Sequence, residues 1–219
     1  MHKVLIMTKI ADIRNEYKLL SLSEADVDRN PVKQFDTWWG AALKSNIDEV
    51  NAMTLATVSS DGGASARIVL LKSYNDSGFV FFTNYESNKA NDLIHHPKAT
   101  LLFFWKELQR QVRIEGTAEK VSDEESDTYY ASRPEGSRIG AWASPQSQVV
   151  KSREELENKF SEYQEKFKDK NIPRPPHWGG YRIKPHLIEF WQGRPNRLHD
   201  RIQYTLQNDN SWKIERLAP

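Results

Sequence analysis

Nitrogen-bearing side chains recur at every second position near the C-terminus, at Arg197, His199 and Arg201. Residues two apart on a β-strand share a face, so this spacing predicts three hydrogen-bond donors side by side. An aromatic pair at 190–191 precedes them. Together these residues would suit a flat anionic ligand. A row of exposed cations paired with acids such as Glu189 explains the spacing equally well, because charged strand faces are common.

Two cations, Arg67 and Lys72, flank the apolar run 68–71. Both could bind phosphate groups. Their separation of five places them on opposite faces of a straight strand, so they would bind different groups or require a β-bulge. An ordinary core strand with polar ends is the simpler interpretation of these residues taken alone.

A third candidate follows the strand that ends near Thr83. Ser87, Asn88 and Lys89 come at the start of a predicted helix. There a hydroxyl, free backbone N–H groups and a cation could bind a phosphate. Simple helix capping with a solvated lysine is the more common outcome of such a pattern.

A fourth candidate combines Tyr129, Arg133 and Ser137 at four-residue spacing. Tyr129 and Arg133 would share a helix face, and Ser137 follows just beyond Pro134. Two hydroxyls and a guanidinium suit a phosphate monoester. A helix C-terminus with a solvated arginine is again the more common alternative.

Motifs that hold phosphate in a glycine-rich loop are missing. The chain has neither GxGxxG after a strand nor GxxxxGK[ST], so any phosphate must be held by side-chain cations and hydroxyls. GxSxG and HExxH are also missing. The adjacent His95 and His96 would point about 100° apart on a helix, which disfavours a metal hydrolase.

Hydrophobic periodicity predicts helices that flank a set of strands. Ile10, Tyr17 and Leu20 indicate a helix over 8–20, Pro31 opens a second helix, and Ser122 with Glu125 forms a capping box for a third. Further helices are predicted over 86–97, ended by Pro97, and over 151–168, with a loop over 172–180. About seven strands are predicted, drawn from eight candidate segments at 53–58, 66–74, 79–83, 98–105, 110–121, 187–193, 197–206 and 211–219.

Short turns between these strands favour an antiparallel sheet closed into a barrel, with helices packed outside. The fold class is therefore mainly β with flanking helices. We expect one domain over 1–219. It would comprise an N-terminal helical segment (1–50), barrel strands (51–121 and 178–219) and a helical insertion (122–170).

Composition narrows the functional class. The 219 residues carry 31 Lys and Arg against 30 Asp and Glu, a formal net charge of +1, which disfavours nucleic-acid binding. The chain has no cysteine, so thiol nucleophiles and cysteine metal sites are excluded. No apolar run is long enough to span a bilayer, and no signal peptide is evident. We expect a cytoplasmic enzyme or binding protein, and seven Trp indicate a flat-ligand pocket or an interface.

The C-terminal segment then becomes specific. Ile188-Glu189-Phe190-Trp191-Gln192, four further residues, and Arg197-Leu198-His199-Asp200-Arg201 resemble the characteristic motif of the pyridoxamine 5′-phosphate oxidase family. The resemblance extends from about residue 10 to the last residue. It includes RIVLLK at 67–72, RQV at 110–112, SRP at 132–134, IGAW at 139–142 and WGG at 178–180.

This resemblance implies an FMN-binding split β-barrel that forms a homodimer with FMN between the subunits. Members oxidise pyridoxamine 5′-phosphate or pyridoxine 5′-phosphate to pyridoxal 5′-phosphate. Dioxygen accepts the electrons and becomes hydrogen peroxide, and the amine substrate also releases ammonia. The implied partners are these small molecules and a second copy of the chain, with neither nucleic acid nor membrane.

The resemblance also implies roles for individual residues. Arg197 and His199 would face the reacting carbon, and Arg14 and Tyr17, on the first helix, would cover the substrate. Where the family usually has Ser-Arg-Lys, this chain has Ser87-Asn88-Lys89, so we expect weaker FMN binding. The implied FMN contacts are Arg67, Ile68, Val69, Leu70, Leu71, Lys72, Phe82, Thr83, Asn88, Lys89, Gln111, Gln146, Ser147, Trp191 and Arg201. The implied substrate contacts are Arg14, Tyr17, Lys72, Tyr129, Arg133, Ser137, Arg197 and His199.

Two alternatives stay open. One is a split-barrel FMN oxidoreductase that acts on another substrate and does not need the set Lys72, Tyr129, Arg133 and Ser137. The other is a non-catalytic protein that binds a B6 phosphate tightly without turnover.

Overall fold

The computed structural model describes residue 10 and residues 16–219. Five α-helices lie within that part of the chain. They are α1 (Pro31–Leu43), α2 (Asn88–His95), α3 (Asp123–Ser132), α4 (Glu135–Ala143) and α5 (Arg153–Lys166).

Local sequence signals explain where these helices begin. At α1 the Asn30 side chain accepts hydrogen bonds from the backbone N–H groups of Val32 and Lys33, and Pro31 occupies the first turn. At α3 Ser122 caps the backbone N–H of Glu125, as predicted. The Glu125 carboxylate pairs with Arg182 instead of completing the capping box.

In the described part of the chain, nine strands form one antiparallel sheet, two more than the approximate number predicted. They pair in the order β2-β1-β5-β6-β7-β4-β3, with β8 on β7 and β9 on β8. The strands are β1 (Ala52–Val58), β2 (Ala64–Leu70), β3 (Ser73–Asn75), β4 (Gly78–Asn84), β5 (Lys98–Trp105), β6 (Arg110–Lys120), β7 (Trp178–Gln192), β8 (Asp200–Leu206) and β9 (Trp212–Arg216).

The two ends of this strand order, β2 and β3, are consecutive in the chain. Lys72, between them, donates its backbone N–H to Val80 on β4 at 2.9 Å. Strand pairing therefore leaves a seam beside β2 in the described chain, and the expected split barrel is confirmed. The seam matters because Lys72 and neighbouring candidate residues lie along it.

The interior of the sheet is filled by alternating apolar side chains. On β5, Leu101 and Phe103 are fully buried, as are Val112 and Ile114 on β6. Period-two burial of this kind is what a one-sided core requires. A smaller cluster around Tyr130, Ile139, Ile172 and Trp178 lies beneath α3–α5. The proposed division of 1–219 into an N-terminal segment, barrel and insertion stays a prediction.

Two local predictions are wrong. Residues 16–20 are irregular, so the described end of the helix predicted over 8–20 is not helical, whereas 8–9 and 11–15 lie outside the described residues. The WGG segment belongs to β7 and not to a loop. A Cβ on Gly179 would lie 2.2 Å from the Tyr85 hydroxyl oxygen, so this strand requires glycine for close packing rather than for a turn.

The C-terminal residues are tied to β8. The Leu217 backbone N–H donates to the Arg201 carbonyl at 2.9 Å, and Arg201 Nη1 donates to the Ala218 carbonyl at 2.8 Å. Arg216 Nη2 also donates to the Leu22 carbonyl at 3.1 Å. The end of the chain therefore supports both the segment near residue 22 and an arginine that the sequence analysis singled out.

No helix in the described residues combines the length and apolarity needed to cross a membrane.

Candidate active site

A cavity of about 480 Å³ opens at the seam between β2, β4 and the helices α3 and α4. This volume is within the usual range for small-molecule sites. Three cations line the cavity, and no carboxylate among the described residues does. The electrostatics therefore favour an anionic ligand. The lining residues are Ile68, Val69, Leu70, Lys72, Phe82, Thr83, Asn84, Lys89, Tyr129, Arg133, Pro134, Ser137, Gln146 and Trp178.

The cavity lining includes the whole predicted phosphate-binding set, Lys72, Tyr129, Arg133 and Ser137. Lys72 comes from the β2–β3 connection, so the question of opposite strand faces does not arise. Arg133 follows α3 directly, and Ser137 is in the first turn of α4. The chain changes direction at Pro134, between α3 and α4, and this turn allows Ser137 and Arg133 to line the same cavity.

Arg133 is poised for a ligand. Its Nη1 atom is buried and has no hydrogen-bond partner, although buried polar groups are nearly always bonded. Burial also lowers the pKa of the guanidinium. The guanidinium lies 4.7 Å from the centre of the Trp178 ring, a cation–π distance. An anion would supply the missing acceptor.

Stacked aromatic rings form one wall of the cavity. Phe82 and Tyr129 stack with centroids 4.1 Å apart, and Phe82 and Trp178 stack at 5.4 Å and 9°. Phe82 and Tyr129 are predicted site residues, but Trp178 is not. An aromatic residue directly before Gly179 was the one signal for Trp178, and the prediction of a loop over 172–180 concealed that it lies on a strand.

A second set of lining residues, Lys89, Thr83 and Gln146, is joined by hydrogen bonds. Lys89 Nζ donates to Gln146 Oε1 at 2.8 Å, and the Thr83 hydroxyl donates to the same oxygen at 3.3 Å. Burial, together with repulsion from the nearby Arg67, lowers the pKa of Lys89 to about 8. Two cations converge here, an arrangement that an anion would stabilise.

Arg67 lies behind Lys89 and does not itself line the cavity. Its Nη1 donates to the Thr57 hydroxyl at 2.6 Å and to the Leu55 carbonyl at 3.2 Å. Its Nη2 donates to Ser65 Oγ at 2.6 Å. The nearest carboxylate oxygen, on Asp92, is 3.7 Å away. An ordinary core strand with polar ends does not fully describe this segment, because hydrogen bonds hold the Arg67 side chain near Asp92 on α2.

A second group of candidates lies apart from the cavity. Tyr17, Trp191 and His199 form an aromatic cluster, with ring centroids 4.6 Å apart for Trp191 and His199. A Cβ on Gly193 would lie 2.7 Å from the Tyr17 ring, so glycine there allows Tyr17 to reach the cluster. Tyr17 approaches as irregular chain, and its predicted partner Arg14 lies outside the described residues.

The predicted strand face of Arg197, His199 and Arg201 is wrong, because β8 begins only at Asp200. Pro195 starts a short 3-10 turn that ends at Arg197, whose φ of 61° is left-handed. Pairing across strands sets a different row: Gln111 on β6, Trp191 on β7 and Arg201 on β8 lie directly opposite one another. Directly opposite residues share a sheet face.

Acids and backbone groups set the chemistry of this second group. Arg201 forms a two-point ion pair with Glu189, at 2.8 and 3.1 Å. The pairing with this acid was predicted, but Glu189 is buried and not on the surface. Burial disfavours the ionised form of Glu189, but hydrogen bonds from Arg201 and Arg113 outweigh it and lower the pKa. Burial and the charge of Arg197 lower the pKa of His199.

Three of the remaining predicted FMN contacts lie outside the cavity lining. Asn88 is the exposed first residue of α2, and Ser147 follows Gln146 with a left-handed φ of 71°. Neither lines the cavity. Leu71 is buried in the core, so only its backbone could contact a cofactor. Thr57 and Asp92, which contact Arg67, were missed because their spacing in the sequence carries no signal.

No group of three or more His, Asp or Glu in the described chain could hold a metal ion.

Comparisons with known proteins show the family to which the chain belongs. Residues 40–167 match the family described as pyridoxamine 5′-phosphate oxidase. Residues 178–219 match the pyridoxine 5′-phosphate oxidase C-terminal dimerisation region. A pyridoxine/pyridoxamine 5′-phosphate oxidase of Cupriavidus pinatubonensis is 59% identical over 213 residues, 97% of this chain and 100% of that protein. The Burkholderia lata protein of the same name is 60% identical over 215 residues, again 97% and 100%.

Solved structures extend the comparison. PhzG from Burkholderia lata, determined with tetrahydrophenazine-1-carboxylic acid, has a TM-score of 0.87 and 31% identity, covering 94% of this chain and 100% of PhzG. A pyridoxamine 5′-phosphate oxidase-related, FMN-binding protein from Nostoc punctiforme has a TM-score of 0.69 at 16% identity, covering 91% and 100%, and supports the fold alone. The chain is a flavin-dependent oxidoreductase that belongs to the pyridoxine/pyridoxamine 5′-phosphate oxidase family.

Proposed function

We propose that this chain oxidises pyridoxine 5′-phosphate and pyridoxamine 5′-phosphate to pyridoxal 5′-phosphate. FMN is the cofactor, dioxygen the electron acceptor and hydrogen peroxide the product, with water consumed and ammonia released for the amine. The observation that carries the proposal is that Lys72, Tyr129, Arg133 and Ser137 line one cavity that has no carboxylate among its described lining residues. The unbonded, buried Arg133 Nη1 supplies a donor for the substrate phosphate.

The second set of lining residues suits the FMN phosphate. Lys89 lies near Arg67, and burial together with the charge of Arg67 lowers the pKa of Lys89, so a bound phosphate would offset the repulsion between the two cations. Thr83 and Gln146 would bind polar atoms of the cofactor. When bound, FMN supplies the hydride acceptor for oxidation of the substrate carbon. The protein supplies two separate phosphate anchors, which fix how far apart the two molecules are held.

We further propose a homodimer in which each site uses residues of both copies. Gln111, Trp191 and Arg201 share a sheet face on β6–β8, but none of them lines the cavity of its own chain. A second copy could bring this face over the cavity. The match of residues 178–219 to a C-terminal dimerisation region supports this arrangement.

Within such a site the anchoring groups and the reacting groups have different tasks. Binding energy from the substrate phosphate at Arg133 would hold the distant reacting carbon in position. The backbone N–H of Arg194 donates to His199 Nδ1 at 3.1 Å, so the neutral ring carries its proton on Nε2. His199 would therefore donate a hydrogen bond to the oxygen of the hydroxyl group on the pyridine ring of the substrate. Arg197 would stabilise negative charge that develops near it.

The test is direct. The purified protein, reconstituted with FMN, is mixed with pyridoxine 5′-phosphate in air while pyridoxal 5′-phosphate absorbance and peroxide are followed. We expect a yellow protein and one peroxide for each product molecule. Tight product binding without turnover would instead support a non-catalytic B6-phosphate-binding protein.

A second candidate function follows from PhzG, which is similar over nearly the whole chain and was determined with a tricyclic carboxylic acid. The stacked wall of Phe82, Tyr129 and Trp178 could also receive a flat tricyclic ring. Turnover of a dihydrophenazine carboxylic acid, compared with pyridoxine 5′-phosphate, separates the two functions. If Arg133→Ala impairs only the phosphorylated substrate, the B6 assignment stands.

A further inference from the structure

Thr57 is a fully enclosed β1 residue to which the proposed function gives no role. It is 2% exposed. Its hydroxyl donates to Asp92 Oδ2 at 2.6 Å and accepts from Arg67 Nη1 at 2.6 Å. The order of donors follows from chemistry, because a guanidinium only donates and a carboxylate only accepts. The hydroxyl therefore connects the acid to the arginine in one orientation.

This connection holds the Arg67 guanidinium away from Asp92. The shortest distance between their charged atoms is 3.7 Å, longer than a hydrogen bond. Nη1 donates to Leu55 and Thr57, and Nη2 donates to Ser65. A guanidinium has five N–H groups, so Nε–H and one N–H of Nη2 have no hydrogen-bond partner in the described chain.

Asp92 also lies one helical turn after Lys89 on α2. The acid, the hydroxyl and the two cations thus form one connected cluster between β1, β2 and α2. Without the hydroxyl, only the hydrogen bonds to Leu55 and Ser65 would keep Arg67 from closing onto Asp92 in a direct ion pair. That movement would turn the unpartnered N–H groups of Arg67 away from the cavity side where Lys89 lies.

We propose that Thr57 is a positioning residue for the FMN phosphate: its hydroxyl, oriented by Asp92, fixes the Arg67 guanidinium so that the unpartnered N–H groups meet the phosphate beside Lys89. The inference rests on the proposed function, which assigns the FMN phosphate to Arg67 and Lys89. It adds that the selectivity for a phosphorylated flavin depends on a residue that does not touch the flavin.

The test compares FMN with riboflavin, which lacks the phosphate. Dissociation constants for both are measured by quenching of flavin fluorescence on titration with the apoprotein. In Thr57→Val, we expect the FMN constant to rise about tenfold, as for a lost hydrogen bond to a charged group, while the riboflavin constant is unchanged. Thr57→Ser, which keeps the hydroxyl, should bind FMN within about twofold of the unaltered protein.

A double variant identifies the route of the effect. If Thr57 acts through Arg67, Thr57→Val should add no further loss of FMN affinity to Arg67→Met. Additive losses, equal losses for both flavins, or unchanged FMN binding in Thr57→Val would each overturn the inference. Thr57→Ala serves in the same assay if the valine variant does not fold.

The unaltered protein separates this inference from the function beneath it. If it does not prefer FMN to riboflavin, or if Arg67→Met keeps that preference, the phosphate assignment is wrong and the inference fails with it. If the preference depends on Arg67 but not on Thr57, only the inference fails.

Discussion

Arg133 and Arg197 differ at the level of the single residue. Arg133 is half-buried against Trp178 with an unbonded nitrogen. Arg197 is exposed at the end of a tight turn, in a backbone conformation that non-glycine residues rarely adopt. The first is suited to hold a fixed anion. The second is held in a strained conformation of the sort found at functional sites.

Arg133→Ala should raise KM for pyridoxine 5′-phosphate about 10- to 100-fold, because hydrogen bonds to a charged group are lost. FMN content should not change, since the FMN phosphate would use the second set of lining residues. Steady-state kinetics and the flavin-to-protein absorbance ratio check this. Lost flavin with unchanged KM would mean that the two phosphates are assigned the wrong way round.

Arg197→Ala should lower kcat about 100-fold, a typical effect of removing a group that stabilises developing charge. FMN content should stay near that of the unaltered protein. Arg194→Ala, at the residue immediately before the same turn, serves as a nearby control. Near-normal turnover in Arg197→Ala would remove this residue from the mechanism.

Asn88→Arg should tighten FMN binding about two- to fivefold, because it adds a cation beside Lys89 at an exposed position, where a charge pair contributes up to about 1 kcal/mol. Fluorescence titration measures the change. Asn91→Arg, also exposed but one turn further along α2, should have a smaller effect. Equal effects would indicate general attraction rather than a phosphate contact.

At the scale of elements, α2 connects the cavity to the core. Ala90 and Leu93 are buried on its inner face, which fixes the helix and aims its first turn at the cavity. Lys89 therefore belongs to a rigid element, and its depressed pKa is built into the packing.

The affinity for FMN should fall as the pH rises above about 8. The pKa of Lys89 is about 8 in the protein without FMN, and a bound phosphate would raise it. The complex would therefore hold the Lys89 proton more tightly, so FMN should bind most strongly when Lys89 is protonated. Phosphate itself is already a dianion above its second pKa of about 6. Titration from pH 7 to roughly 9.5 tests this, and Lys89→Arg should give a flat profile.

The elements also mark how far the sequence could predict the structure. The first turns of α1 and α3 are determined by local capping, and the predicted helix starts are confirmed, although Glu125 pairs with Arg182 and does not complete the capping box predicted at α3. The strand predicted over Arg197–Arg201 is wrong because Asn196 and Arg197 both have left-handed φ. These angles interrupt the alternation of side chains along a strand, and no glycine in the sequence indicates them. The contacts of Arg67 with Thr57 and Asp92 join three elements, and no local pattern reveals such a cluster. The individual site roles stay predictions.

At the scale of the whole molecule, the candidate residues occupy two separate surfaces. Lys72, Lys89 and Arg133 line the cavity, whereas Trp191, Arg197 and His199 do not. A dimer with two shared sites would join the surfaces of different copies.

Mixed dimers test this sharing. A dimer of one Arg133→Ala copy and one Arg197→Ala copy would contain one doubly altered site and one intact site, as two-fold symmetry requires. After co-expression and purification through two different tags, we expect about half the activity of the unaltered dimer at low substrate. Activity no higher than that of the more active parent variant would mean that each site lies within one chain.

The hydrogen bonds between the last residues and Arg201 have a practical consequence. Leu217 and Ala218 contact this arginine directly, so a variant that lacks residues 217–219 would lose these backbone contacts to Arg201. Such a variant should lose colour before it loses helix content on heating.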